Sequence, residues 1–262
     1  MRNVPATDMS LAPVDYDFGV PANYAFAETI TCSNDEARKM YVEAFGHMLN
    51  YNHEQAIACF TKCAELDENC AMAWWGIAYC LSSSYNWSAG LGPGYDAISQ
   101  AVALKDHCSE LEQDLIMALS KRHTKEARDN ANPAALNMGN SPELNQAFAD
   151  AMAPLYEKYK GNLDVTAIYV EALMNLNPWS LWNKDASTGE ITPVDDSTLM
   201  LIKIMEDAFE NVPGAKEHPA LCHLYCHALE LSPYPERALP AADVLRTLMP
   251  GCGHLVHMPS HI

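Results

Sequence analysis

Positive charge is what this chain has least of. Sixteen lysine and arginine residues face 34 aspartates and glutamates, leaving a formal net charge of −18. Such a surface repels phosphate backbones and anionic lipid, which argues against nucleic acid or membrane as a partner. A cationic partner, or plain solubility, is what remains for the charge to serve. Long apolar runs are missing as well. No stretch is long enough to span a bilayer, and the opening MRNVPATDMSLAPVDYDFGV lacks the apolar segment of a signal peptide. Glycine is scarce, at 12 residues. There is no phosphate-binding loop, no dinucleotide-binding glycine pattern and no Gly-x-Ser-x-Gly elbow. Cysteine is plentiful, but the nine present show no paired spacing. Cys59, Cys63, Cys70 and Cys80 fall within helical patterns, where a buried thiol is ordinary, so a reducing, cytoplasmic location is expected.

What is present points to helix. Nearly half the residues are apolar, enough for a substantial core. They are mostly Ala, Leu and Met, which favours helix over sheet. Residues 1–33 read as an irregular, proline-containing lead-in and 34–262 as a helical repeat domain. Ala37–Cys70 forms one 34-residue unit. In it Ala44 and Ala56 mark the close helix contact, Phe60 and Cys63 fill the space between helices, and Asn52 is placed to cap the second helix. A second unit opens at Ala71, its turn lengthened over 82–94, with a helix from Tyr95 to Lys105. Further helices are expected at Ser109–Arg122, Pro142–Tyr159, Leu163–Asn175 and Ser197–Glu210, the last capped by Asp195 or Asp196. A polar loop fills 123–140. The last full unit runs Pro219–Cys252, and another begins at Gly253. A repeat array needs a polar capping helix, so the chain is expected to continue beyond Ile262.

Histidine is concentrated. Six of the ten lie between His218 and Ile262, where even scattering would put about two. His223 with His227, and His257 with His261, have i, i+4 spacing, which on a helix turns both rings to one side. The second pair lies 34 residues after the first. Helical-hairpin repeats of this length pack neighbouring units side by side, so the four imidazoles are expected to converge, with His254 and Glu230 as further ligands. Neutral imidazole suits zinc, copper or iron. A neutral hydrogen-bond network or a peptide-contact surface stands beside that reading. Pro259, between His257 and His261, interrupts the helix if it lies past the first turn. Cys222 and Cys226 share the i, i+4 spacing but are rotated about 100° from the histidines, towards the core. Glu112 with Asp114, and Glu171 with Asn175, are read as solvated or repeat-contact residues. Trp74, Trp75, Trp179 and Trp182 are read as packing.

The stretches YNHEQAIACF, CAMAWWGIAY, YVEALMNLNPWSLW and ERALPAADVLRTLMPGCGHLVHMPSHI resemble the tetratricopeptide repeat superfamily, and a group within it that shares these motifs. The resemblance covers most of the chain from about Asp35 onward. It implies an all-α fold, a right-handed α-solenoid of antiparallel helical hairpins, whose first helices line a concave groove. It implies no particular reaction. At the groove positions of the early units stand Tyr41, Phe45, Trp75 and Tyr79 rather than the lysines and arginines that grip a peptide carboxylate in some family members. His53 and Glu54 fall within one of the shared motifs. Two functions follow as expectations. One is a soluble repeat scaffold that binds a protein, peptide or small ligand in its groove and carries a polyhistidine metal site. The other is a metalloenzyme, oxidoreductase or hydrolase, with the histidine centre framed by the repeats.

Overall fold

The computed structural model describes residues 25–86, 93–130 and 141–262. Most of the lead-in read at 1–33, and parts of the turn at 82–94 and the loop at 123–140, lie outside them. The described residues are mostly helical and fall into two compact units, 25–155 and 156–262.

The first unit holds α1 (Ala25–Thr29), α2 (Asp35–Leu49), α3 (His53–Leu66), α4 (Ala71–Cys80), α5 (Pro93–Leu104), α6 (Glu110–Leu119) and α7 (Lys125–Asp129). α2 starts where Asn34 accepts a hydrogen bond from the Ala37 backbone at 2.8 Å, with Asp35 and Glu36 favourably placed in its first turn. It packs on α3 through fully buried Ala44, Ala56 and Phe60. Asn52 makes no side-chain cap to α3. Its amide instead lies 3.4 Å from His47 Nδ1, so the capping role read for it gives way to a contact with the preceding helix. α4 comes so close to α3 that a Cβ on Gly76 would lie 2.5 Å from the Phe60 ring. α6 opens with a capping box between Ser109 and Glu112. The Glu112 carboxylate also accepts from the backbone N–H and hydroxyl of Thr31, both at 2.6 Å. Glu112 is therefore a buried structural anchor rather than a solvated residue.

Tyr41, Phe45 and Trp75 are all buried in this unit. Tyr41 packs 5.2 Å from Phe60 and 6.1 Å from Phe45, and Trp75 Nε1 donates to the Leu115 carbonyl at 3.2 Å. The sequence placed them on a groove surface. Packing among α2, α3, α4 and α6 puts these rings in core instead, because large aromatic faces gain most from full desolvation.

α8 (Pro142–Lys158) runs from the first unit into the second. The second unit continues with α9 (Leu163–Met174), a short antiparallel ribbon of β1 (Trp182–Lys184) and β2 (Ile191–Pro193), then α10 (Asp196–Asn211), α11 (Pro219–Leu229), α12 (Leu239–Leu248) and α13 (Gly253–His257). Of the two candidate caps for α10 it is Asp195 that serves, accepting from Ser197 and Thr198. α11 is buried along its whole length, with α9, α10 and α12 all packed against it. No described helix is long and apolar enough to cross a membrane.

Candidate metal centre

α11 positions the first ligands. Pro219 occupies its first turn, where a missing N–H costs nothing. His218 caps it, Nδ1 accepting from the Leu221 backbone at 3.3 Å while Nε2 contacts Asp164 Oδ1 at 3.2 Å. Both nitrogens of His218 are thus engaged in holding the start of α11. The sequence supplied no signal for this role beyond a histidine directly before a helix-starting proline.

One and two turns further on, His223 and His227 point to the same side, their rings 4.8 Å apart and crossed at 67°. Both are almost fully buried. α13 brings His254 against them. Its Nε2 lies 3.1 Å from His223 Nε2, and the two rings meet nearly perpendicular, at 87°. One nitrogen from each of His223, His227 and His254 lies within 4.8 Å of the others. Nitrogens on one tetrahedral ion stand about 3.3 Å apart, given metal–nitrogen bonds of about 2.0–2.1 Å, so the His223–His254 separation already has that scale.

Glu230, just past the end of α11, links this trio to a second grouping of His227, Glu230 and His261. Its Oε1 is 2.8 Å from His227 Nδ1, and its Oε2 makes a short contact with His261 Nδ1. His261 Nε2 then reaches His257 Nε2 at 3.0 Å, and His257 Nδ1 contacts the Ser260 hydroxyl at 3.2 Å. The chain of groups therefore runs from an imidazole trio with two buried rings, through a carboxylate, to exposed His257.

The two i, i+4 pairs are not equivalent in their backbone. α13 ends at His257, and a 3-10 turn, Met258–His261, carries Pro259 near its start. The proline lacks the N–H that would extend the helix. His257 and His261 still touch, yet it is His254 that sits with His223 and His227, while His261 sits with Glu230.

Electrostatics disfavour protonation of His223 and His254. Burial holds the His223 pKa well below the ordinary histidine value, and nearby His227, His254 and His261 push it the same way. His254 is lowered to about 4, by burial first and then by His227, His257 and His261. Burial opposes ionisation of Glu230, but its hydrogen bonds to His227 and His261 outweigh that and bring its pKa below the usual carboxylate value. Unprotonated imidazoles beside an ionised carboxylate are the forms that bind a cation.

Trp179 forms one wall. Its indole lies edge-on to His227 with ring centres 5.4 Å apart, and it is half exposed. Its φ of 58° is in the left-handed region that non-glycine residues rarely occupy. Trp182 fixes the same segment by donating Nε1 to the Ala228 carbonyl at 2.7 Å. Read from sequence as packing, Trp179 is instead a partly exposed residue beside a candidate ligand. Trp74 is a core residue of the first unit, as expected, and so is Trp75, for which the packing reading holds and the groove position does not.

Cys222 and Cys226 are fully buried. Burial raises the Cys226 thiol to about 12, with Glu230 adding to the effect, so both behave as core. His53 stacks on Tyr51 in the first unit, and Glu54 is exposed. A cavity of about 530 Å³ in the second unit is lined by Glu206, Phe209, Cys222, Tyr225, Arg237 and Val244 among others. None of the clustered histidines lines it. Comparison with protein-family models, curated proteins and solved structures returns no match.

Proposed function

We propose that this chain is a transition-metal-binding helical repeat protein of tetratricopeptide-like build. One ion would be held by His223, His227 and His254, with Glu230 orienting His227 from outside. The observation that carries this reading is the convergence of three imidazole nitrogens within 4.8 Å, backed by a carboxylate on Nδ1 of His227. Ligating histidines commonly donate their second N–H to a carboxylate, which fixes tautomer and ring orientation. Nitrogen ligands of this kind suit zinc, copper or iron. Protein purified without an affinity tag would carry a single such ion at this site. The His223→Ala/His254→Ala double variant would lose it while keeping its helical circular dichroism. Metal content identical in parent and double variant overturns the proposal.

A metalloenzyme is the second reading, and the open geometry favours it. Three protein imidazoles leave a fourth position for water or substrate, the arrangement of catalytic rather than structural zinc. The exposed His257, linked through His261 to Glu230, supplies a line of hydrogen-bonding groups from Glu230 to the surface. Azide added to the copper-loaded protein would shift its visible spectrum if that position is open. An unchanged spectrum leaves a closed binding site and removes the enzyme reading. The groove-binding reading keeps less support, since three of the four aromatic residues assigned to the groove are buried.

A further inference from the structure

The first unit contains another convergence of ligating side chains, unrelated to the histidine-rich segment. Glu43 and His47 lie one turn apart on α2, and Cys59 faces them from α3. One ligand atom from each lies within 4.8 Å of the other two, and all three residues are buried. The layout matches the second unit in miniature: an i, i+4 pair on one helix and a third ligand from the helix packed against it. The donor set differs, because it includes sulfur.

Two amides stand behind the trio. The buried Gln55 side chain, one turn before Cys59 on α3, directs Nε2 at Cys59 Sγ from 3.8 Å. The Asn52 amide lies 3.4 Å from His47 Nδ1. An N–H aimed at sulfur stabilises a thiolate, and an amide at one imidazole nitrogen orients the other. An amide can present either its oxygen or its nitrogen to the ring, so Asn52 serves the ligating tautomer as readily as the free one.

We infer that Glu43, His47 and Cys59 form a second metal site, which takes zinc through one carboxylate oxygen, one imidazole nitrogen and one thiolate. Sulfur and nitrogen ligands of tetrahedral zinc stand about 3.5 Å apart, from bonds of about 2.3 and 2.0–2.1 Å. Small side-chain rotations bring the three onto an ion. On binding, the Cys59 S–H bond breaks, sulfur bonds to zinc and the proton passes to solvent. The ion's charge also offsets the cost of a carboxylate buried between helices.

Cobalt(II) is the probe, titrated under reducing conditions into the full-length His223→Ala/His254→Ala variant, so that the result does not depend on the histidine cluster. One equivalent is expected to produce an intense near-ultraviolet thiolate-to-cobalt band. Cys59→Ser should abolish the band and Cys63→Ser should leave it. Affinity should rise about tenfold per pH unit, since one proton is released. Should Cys59→Ser not fold, X-ray absorption of the zinc-loaded double variant decides, with one sulfur and nitrogen or oxygen neighbours expected. Cobalt binding without a thiolate band, a band that survives Cys59→Ser, or a zinc shell free of sulfur overturns the inference.

Discussion

Glu230 Oε1 lies 2.8 Å from His227 Nδ1, and the same carboxylate reaches His261 through its other oxygen. One side chain thus fixes the orientation of a buried imidazole and ties it to a more exposed one. Glu230→Gln keeps the shape but loses the ionised acceptor. Metal affinity should fall about 10–100-fold, the usual cost of removing an outer partner of a ligating histidine. Competition titration against a chromogenic chelator measures it, and helical content should not change.

Acid should weaken the fold before the carboxylates titrate. In the unfolded chain histidine takes a proton near pH 6.5. In the folded chain burial delays uptake by His254 and His47 to about 4 and by His123 to about 3, with His223 shifted the same way. Between those values the unfolded state holds more protons. The stabilisation is therefore complete above about pH 6.5 and is lost as pH falls towards 4. Urea midpoints followed across that range should decline. The decline should be shallower in His123→Gln, which removes one of the titrating groups.

Gly76→Ala should destabilise the first unit by about 1–3 kcal/mol, the typical cost of overpacking. The added methyl would meet the Phe60 ring, which is fully buried. Phe60→Leu in the same chain should recover part of the loss. Thermal denaturation of the two variants checks both statements.

Glu112→Ala removes an acceptor serving the Thr31 N–H, the Thr31 hydroxyl and the Ser109 N–H. A loss on the order of 3 kcal/mol is expected, because three hydrogen bonds disappear and partly buried donors lose their acceptor. Hydrogen exchange should rise at Thr31 and at the start of α6, and no metal-binding property should change.

Helix content was legible from composition and spacing, and so were many boundaries. Polar caps such as Asp195 and Ser109 announce them, since orphan N–H groups at a helix start ask for a side-chain oxygen. The ribbon between Trp182 and Pro193 was not legible, because three-residue strands carry no periodic signal. Neither was the burial of Tyr41 and Phe45, where a repeat register says which way a side chain turns but not what lies beyond it. The histidine cluster was visible as a count and a spacing. What spacing did not convey was the partner of each ring. His257 and His223 share a register, yet the early end of α13 puts His254 beside His223. The Glu43–His47–Cys59 grouping left only a faint trace, a carboxylate one helical turn before a histidine.

α13 is five residues long, far below the length at which a helix holds in water by itself. Its order rests on Leu255 and on Met258 just beyond it, both fully buried. For His254 to swing away from α11, those two apolar anchors must come loose as well. The speed at which an ion escapes would then be governed by the breathing of a short hydrophobic clasp, and a slow-dissociating ion can be made fast by trimming a methionine that never touches it.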